Sequence, residues 1–223
     1  MKISVLGATG PSGLQTVLEA LERGYSVVAL VRNPDKLTIK DDKLQVCKVD
    51  IFKEDELVPH FGGCDAVVSC LGEGGGGGSL FGRNKCTLYT DSIRSIVGAM
   101  RKSGVKRLIA MSSWGSAVTE GEPFLMKWVL RRLLIGEILE NIGEMEDYLN
   151  QECQDINFTT VRLPWLSNGP STEKPIQAEN GRQYLENSET QISRRDVAKY
   201  LLDIINDSSV YKACVAIGYD KKK

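Results

Sequence analysis

The run Gly7-Ala8-Thr9-Gly10-Pro11-Ser12-Gly13 constrains this chain more than any other stretch. It stands directly after an apolar segment, residues 2–6, and directly before a segment with helical periodicity, residues 12–23. The first glycine permits a tight turn, the second lets a ligand approach the backbone, and the third lets the helix pack close to the strand. Pro11 suits the first helical position, where a missing N–H costs little. A helix opened in this way offers free N–H groups and a partial positive charge to an anion such as a phosphate. Thr9 lies in the same turn, and Ser12 can give its hydroxyl to that anion or to a free backbone group.

Short Val/Ile-rich runs recur at residues 2–6, 26–31, 44–48, 66–70, 107–111, 158–162 and 213–217. Helical segments fall between them at residues 12–23, 53–61 and 87–102, with Gly24 and Gly104 as stops. That alternation predicts an α/β fold of Rossmann type, a doubly wound parallel sheet. Val27-Val28-Ala29-Leu30-Val31 is apolar on consecutive residues, as a strand covered on both faces requires. The length of 223 residues fits one domain covering 1–223. After the fifth strand the rhythm gives way to a helical insertion, with helices expected at 124–139 and 142–151. Asn180-Gly181, between extended residues, predicts a small hairpin. Asp196 belongs to a helix reaching Asn206.

Formal net charge is -1, so the chain as a whole carries no electrostatic footprint for nucleic acid or an anionic membrane. Its six cysteines include no C-x-x-C pair and read as buried thiols of a reducing compartment. No metal site is expected. No secretory leader is expected, because Met1-Lys2 runs straight into an apolar strand, and no apolar run approaches the roughly 18 residues of a membrane span. A cytoplasmic monomer is the expectation, with Lys221-Lys222-Lys223 a solvated charge run.

In a dinucleotide fold the residue closing the second strand lies beside the adenosine ribose, where an acidic side chain would bond the 2'-hydroxyl of NAD. Here that residue is Arg32, whose guanidinium suits a 2'-phosphate, and Lys36 adds a second cation. Asp35 is the one acidic residue nearby. The expected cofactor is therefore NADPH.

The glycine turn together with Leu30-Val31-Arg32-Asn33-Pro34-Asp35-Lys36-Leu37 resembles the atypical short-chain dehydrogenase/reductase superfamily in its NAD(P)H-binding, NmrA-like branch. Val49-Asp50-Ile51, Asp65-Ala66-Val67-Val68, Leu71-Gly72, residues 104–109 and Met111-Ser112-Ser113 look like segments of its flavin reductase (NADPH)/biliverdin-IXβ reductase group. Similarity is good over residues 1–113, poor in the insertion, and returns at Val161-Arg162-Leu163-Pro164 and residues 193–202. The resemblance implies that Asp50 lies near the adenine and that Leu71 and Gly72 line the cofactor cleft. It also implies that Ser112 and Ser113 lie at the cofactor, Ser113 by the nicotinamide, and that Pro164 supports the ring from the far side. Members of this group usually place a histidine after that proline, where this chain has Trp165. They commonly continue Leu-Gly into an arginine, where this chain has Glu73 and a glycine run, residues 74–78.

Ordinary short-chain dehydrogenases use a Tyr-x-x-x-Lys pair to pass a proton to a carbonyl oxygen. The one such spacing here, Tyr219 and Lys223, lies past the last strand, and the sole histidine, His60, follows the third strand far from the cleft. Hydride transfer to an acceptor that takes its proton from water remains workable, and a small planar redox substrate such as a flavin or quinone fits. Trp114 and Trp165 are candidate walls for it. Lys127, Arg131 and Arg132 beside Trp128 could draw an acidic group of the substrate, or form a solvated helix face. The glycine run could be a flap or a length insertion. The competing function is an NAD(P)-sensing regulator without turnover.

Overall fold

The computed structural model describes residues 1–73, 86–117 and 136–221. Its first half repeats strand and helix in the expected order. Strands β1 (Lys2–Leu6), β2 (Ser26–Val31), β3 (Leu44–Lys48), β4 (Ala66–Ser69) and β5 (Arg107–Ser113) alternate with helices α1 (Pro11–Glu22), α2 (Glu54–Phe61) and α3 (Leu88–Ser103). Then follow α4 (Gly136–Glu152), β6 (Asn157–Leu163), β7 (Trp165–Ser167), β8 (Ile176–Asn180), β9 (Gln191–Ser193), α5 (Arg194–Asp203) and β10 (Ala213–Tyr219). A 3-10 turn carries the chain on from α5 to Asn206.

The main sheet runs β3-β2-β1-β4-β5-β6-β10-β8. Alternate side chains point to opposite faces, and each face has its own core. Ile3, Val5, Val27 and Ala29 pack under Val17 and Ala20 of α1 and Leu201 of α5. Val28, Leu30, Val67 and Leu108 pack under Leu57 of α2, Ile96 of α3 and Leu149 of α4. The sheet is thus doubly wound, a Rossmann-type α/β fold. From β1 the order proceeds outward through β2 and β3, and from β4 in the other direction through β5 and β6. The crevice where these directions part, at the carboxyl ends of β1 and β4, is where ligands bind in such sheets.

Three expectations need correction. First, Asn180-Gly181 makes no local hairpin: β8 instead pairs antiparallel with β10, so the sheet is parallel except at this edge. Gly181, at a φ of 77°, ends the strand, and its N–H bonds Cys214 O at 2.7 Å. Second, the expected break between residues 139 and 142 is absent, because α4 runs through it. Asn141 is no breaker there; its side-chain oxygen accepts the Tyr89 and Thr90 N–H groups at 2.9 and 3.4 Å, capping α3 from a neighbouring helix. Third, all six cysteines are free, but only five are buried, Cys47 being half-buried. The glycine run 74–78, the basic cluster of Lys127, Trp128, Arg131 and Arg132, most of the expected helix at 124–139, and Lys223 lie outside the described residues. Among those that are described, no helix is long and apolar enough to cross a membrane.

Candidate dinucleotide and acceptor site

The glycine turn joins β1 to α1 at the crevice. Gly7 adopts a φ of 75°, and a Cβ there would stand 2.7 Å from the carbonyl oxygen of Cys70 at the end of β4. A Cβ on Gly13 would meet Gly7 O at 2.2 Å. The turn is therefore locked between two strands and its own helix, a cradle with no room for side chains. Gly10 N bonds Gly7 O at 2.9 Å, and the first helical bond is Leu14 N to Gly10 O at 2.8 Å. The Ser12 and Gly13 N–H groups lie before that bond, where a helix start leaves donors for a ligand. No side chain caps this helix end, so the Ser12 hydroxyl is not used there. Beneath the turn, Cys70 contacts the Thr16 hydroxyl at 3.4 Å, and burial pushes its thiol up to about 11, leaving it an inert packing group.

Arg32 directly follows β2 and Lys36 sits in the next 3-10 turn, both exposed. Neither has an ion pair among the described residues. Asp35 turns its N–H onto Asn33 Oδ1 at 3.1 Å. Asp50 follows β3, alongside the end of β2, and its carboxylate accepts Phe52 N at 3.1 Å.

At the other end of the crevice a cavity of about 660 Å³ opens above β5 and β6. Leu71, Gly72, Ser113 and Pro164 line it, together with the aromatic residues Trp114, Trp165 and Tyr184. Trp114 is buried and meets Tyr184 edge to face at 6.0 Å between ring centroids. Trp165 is 56% exposed and stands at the mouth. Ser113 Oγ donates to Trp114 O at 3.1 Å. The Ser112 hydroxyl is engaged from below by Glu146 Oε1 at 2.7 Å. The Tyr219 hydroxyl donates to Asp196 and accepts the Ser193 N–H, and the lysine against its ring is Lys174, 5.5 Å from the centroid. His60 sits at the end of α2 and takes no part in the cavity.

Among the described residues, three side-chain polar atoms are buried without a partner: Glu73 Oε2, Trp114 Nε1 and Arg194 Nε. All three residues line this one cavity. Buried polar groups are nearly always bonded, so a cluster of exceptions marks a place built for a polar ligand. The cradle at Gly7 and Gly13, with no room for side chains, fits a dinucleotide.

Over residues 7–208 the chain matches the family described as NAD(P)H-binding. It belongs to that family. An uncharacterised chloroplastic protein of Arabidopsis thaliana is 30% identical over 219 residues, covering 95% of this chain and 74% of that protein. The chain spans about half the length of two further curated relatives, 49% and 53%. Among solved structures, a candidate NADH-flavin reductase from Streptococcus pneumoniae superimposes with a TM-score of 0.74 at 21% identity, covering 99% of this chain and 100% of that one. A wide-type short-chain dehydrogenase/reductase from Veillonella parvula, in complex with NADP, gives 0.73 at 22%, covering 97% and 94%. At these identities the structures establish a shared fold.

In this NAD(P)H-binding chain, the residues that sequence reading misses are Glu73 as a cavity group, Tyr89 and Arg194. Tyr89 OH accepts the Glu73 N–H at 3.3 Å, and burial pushes its phenol up. Nothing in Ser193-Arg194-Arg195-Asp196 separates one arginine from the next. Only the fold tells them apart.

Proposed function

We propose that this chain is an NADPH-dependent oxidoreductase that passes hydride directly to a flavin or a similar planar acceptor, such as biliverdin or a quinone. The observation that carries the reading is the aromatic-walled cavity, which shares Arg194 with the cleft beside the glycine turn and in which Ser113 and Pro164 flank the expected nicotinamide position. A bound NADPH supplies the hydride. A hydride and one solvent proton convert an oxidised flavin to its two-electron reduced form and leave NADP+.

The chain's own residues then bind, orient and exclude water. The N–H groups of α1 hold phosphate, and Arg32 with Lys36 holds the 2'-phosphate. Trp114 and Trp165 offer faces on which a planar acceptor stacks, and Trp114 Nε1 offers a hydrogen bond. A proton-transferring tyrosine needs a lowered pKa. Tyr89 moves the other way, which favours an acceptor protonated from water.

The test is an anaerobic screen of NADPH oxidation with FMN, riboflavin, menadione and biliverdin. The purified protein is expected to be colourless and to oxidise NADPH only when an acceptor is added. Tight NADPH binding without turnover on any acceptor would favour a cofactor-sensing regulator instead.

A further inference from the structure

Arg194, the first residue of α5, stands where two clefts meet. One, of about 500 Å³, lies between the glycine turn at Thr9 and Pro11 and the facing Asn168 and Gly169; the other is the acceptor cavity, and Arg194 lines both. Its Nη1 donates to Leu166 O at 3.2 Å and to Asn168 Oδ1 at 2.8 Å, which fixes the guanidinium plane. Its Nε is buried and bonds nothing.

No carboxylate pairs with Arg194 among the described residues. Its neighbour Arg195 reaches Glu22 at 3.6 Å. Asp196 turns elsewhere, accepting from Ser171, Thr172 and Tyr219. Burial alone lowers the pKa of the Arg194 guanidinium, as expected of a cation withdrawn from water without a counter-charge. Such a charge and an unmade donor are both costly, and one anion placed between the clefts removes both costs.

We propose that Arg194 closes the phosphate site from the wall opposite the glycine turn, its Nε donating to the nicotinamide-side phosphate of a bound dinucleotide. The proposal rests on the dinucleotide reading of the turn and is independent of which acceptor is reduced. The two phosphates of the cofactor are then divided between two elements. The N–H groups of α1 take the adenosine side, and Arg194 holds the phosphate at the threshold of the cavity, which sets how far the nicotinamide reaches towards Ser113.

The test compares NADP+ with 2',5'-ADP, which carries the adenosine-side phosphates but lacks the nicotinamide half. Both are titrated calorimetrically into wild type, Arg194→Gln and Arg194→Lys. Loss of a charged hydrogen bond should weaken NADP+ binding to Arg194→Gln about tenfold to a hundredfold, while 2',5'-ADP changes by less than about threefold. Arg194→Lys, which keeps the charge as a point rather than a fork, should recover part of the loss and guards against misfolding as its cause. Equal loss for both ligands, or undiminished NADP+ binding, overturns the proposal. A wild type that binds neither nucleotide refutes the dinucleotide reading itself, a result distinct from any behaviour of the variants.

Discussion

Arg162 of β6 and Glu146 of α4 form an ion pair at 2.9 Å, with side chains only 9% and 3% exposed. The same carboxylate accepts from Ser112 at 2.7 Å, Thr160 at 3.1 Å and Ser116 at 2.8 Å. One buried side chain thus ties β5, β6 and the turn after β5 together directly beneath Ser113. Removing one partner of such a pair leaves an uncompensated charge and typically costs about 3–5 kcal/mol. Glu146→Ala is expected to lose stability on that scale in urea unfolding, and Glu146→Gln less. Replacing both partners with apolar residues of matching volume should recover much of the loss.

Arg32 and Lys36 make no ion pair among the described residues, and on the proposed reading they take the 2'-phosphate of the cofactor. Arg32→Ala is expected to weaken NADPH about tenfold to a hundredfold, on a charged hydrogen bond of roughly 1.5–3 kcal/mol, and to leave NADH nearly unchanged. Titration of both cofactors into wild type and variant decides this. Equal weakening, or a wild type that prefers NADH, would remove the NADP assignment.

Ser113→Ala should lower turnover modestly. Its hydroxyl makes one neutral hydrogen bond, worth about 0.5–1.5 kcal/mol, so a loss of about tenfold at most is expected in steady-state rates. Abolished activity in a folded variant would show that Ser113 takes part in proton transfer.

Asp196 sets an acid limit on the loop before β8. Burial works against its ionisation, but hydrogen bonds from Ser171, Tyr219 and Thr172 prevail and hold the carboxyl below its ordinary range. A depressed folded pKa contributes stability that is fully present above the unfolded value and is lost as pH falls through the folded value. Wild type should therefore exceed Asp196→Asn in melting temperature at neutral pH, and the gap should close as the pH drops below about 4. A gap that does not change with pH would mean the carboxylate charge is not what stabilises the loop.

The doubly wound half of the fold was legible because its signals are local. Period and composition locate β1 through β6, glycines mark where α1 and α3 stop, and the Gly7–Gly13 spacing marks the crevice. What was not legible depends on partners distant in sequence. Asn141 reads as a break until α3 stands beside it to be capped. Asn180-Gly181 reads as a hairpin until β10 competes for the same edge. Arg194 and Arg195 are indistinguishable as letters, and differ only because Glu22 reaches one of them while the other faces two clefts. Glu73 gives no periodic signal at all, and its buried oxygen is visible only from the cavity it lines.

The placement of β10 between β6 and β8 also fixes an order in time. β8 is synthesised before the one strand it pairs with among the described residues, and β6 waits across residues 164–212 for its outer neighbour. Pairing over such separations is slow, and in the interval the flank of β6 and both flanks of β8 present rows of unmatched N–H and C=O groups. At about 5–20 residues per second of chain elongation, that interval lasts on the order of 2–10 seconds in a nascent chain. Self-association during biosynthesis is therefore most favoured before residues 213–219 emerge, and substitutions that weaken β10 will reduce yield by prolonging that window even where the finished protein tolerates them.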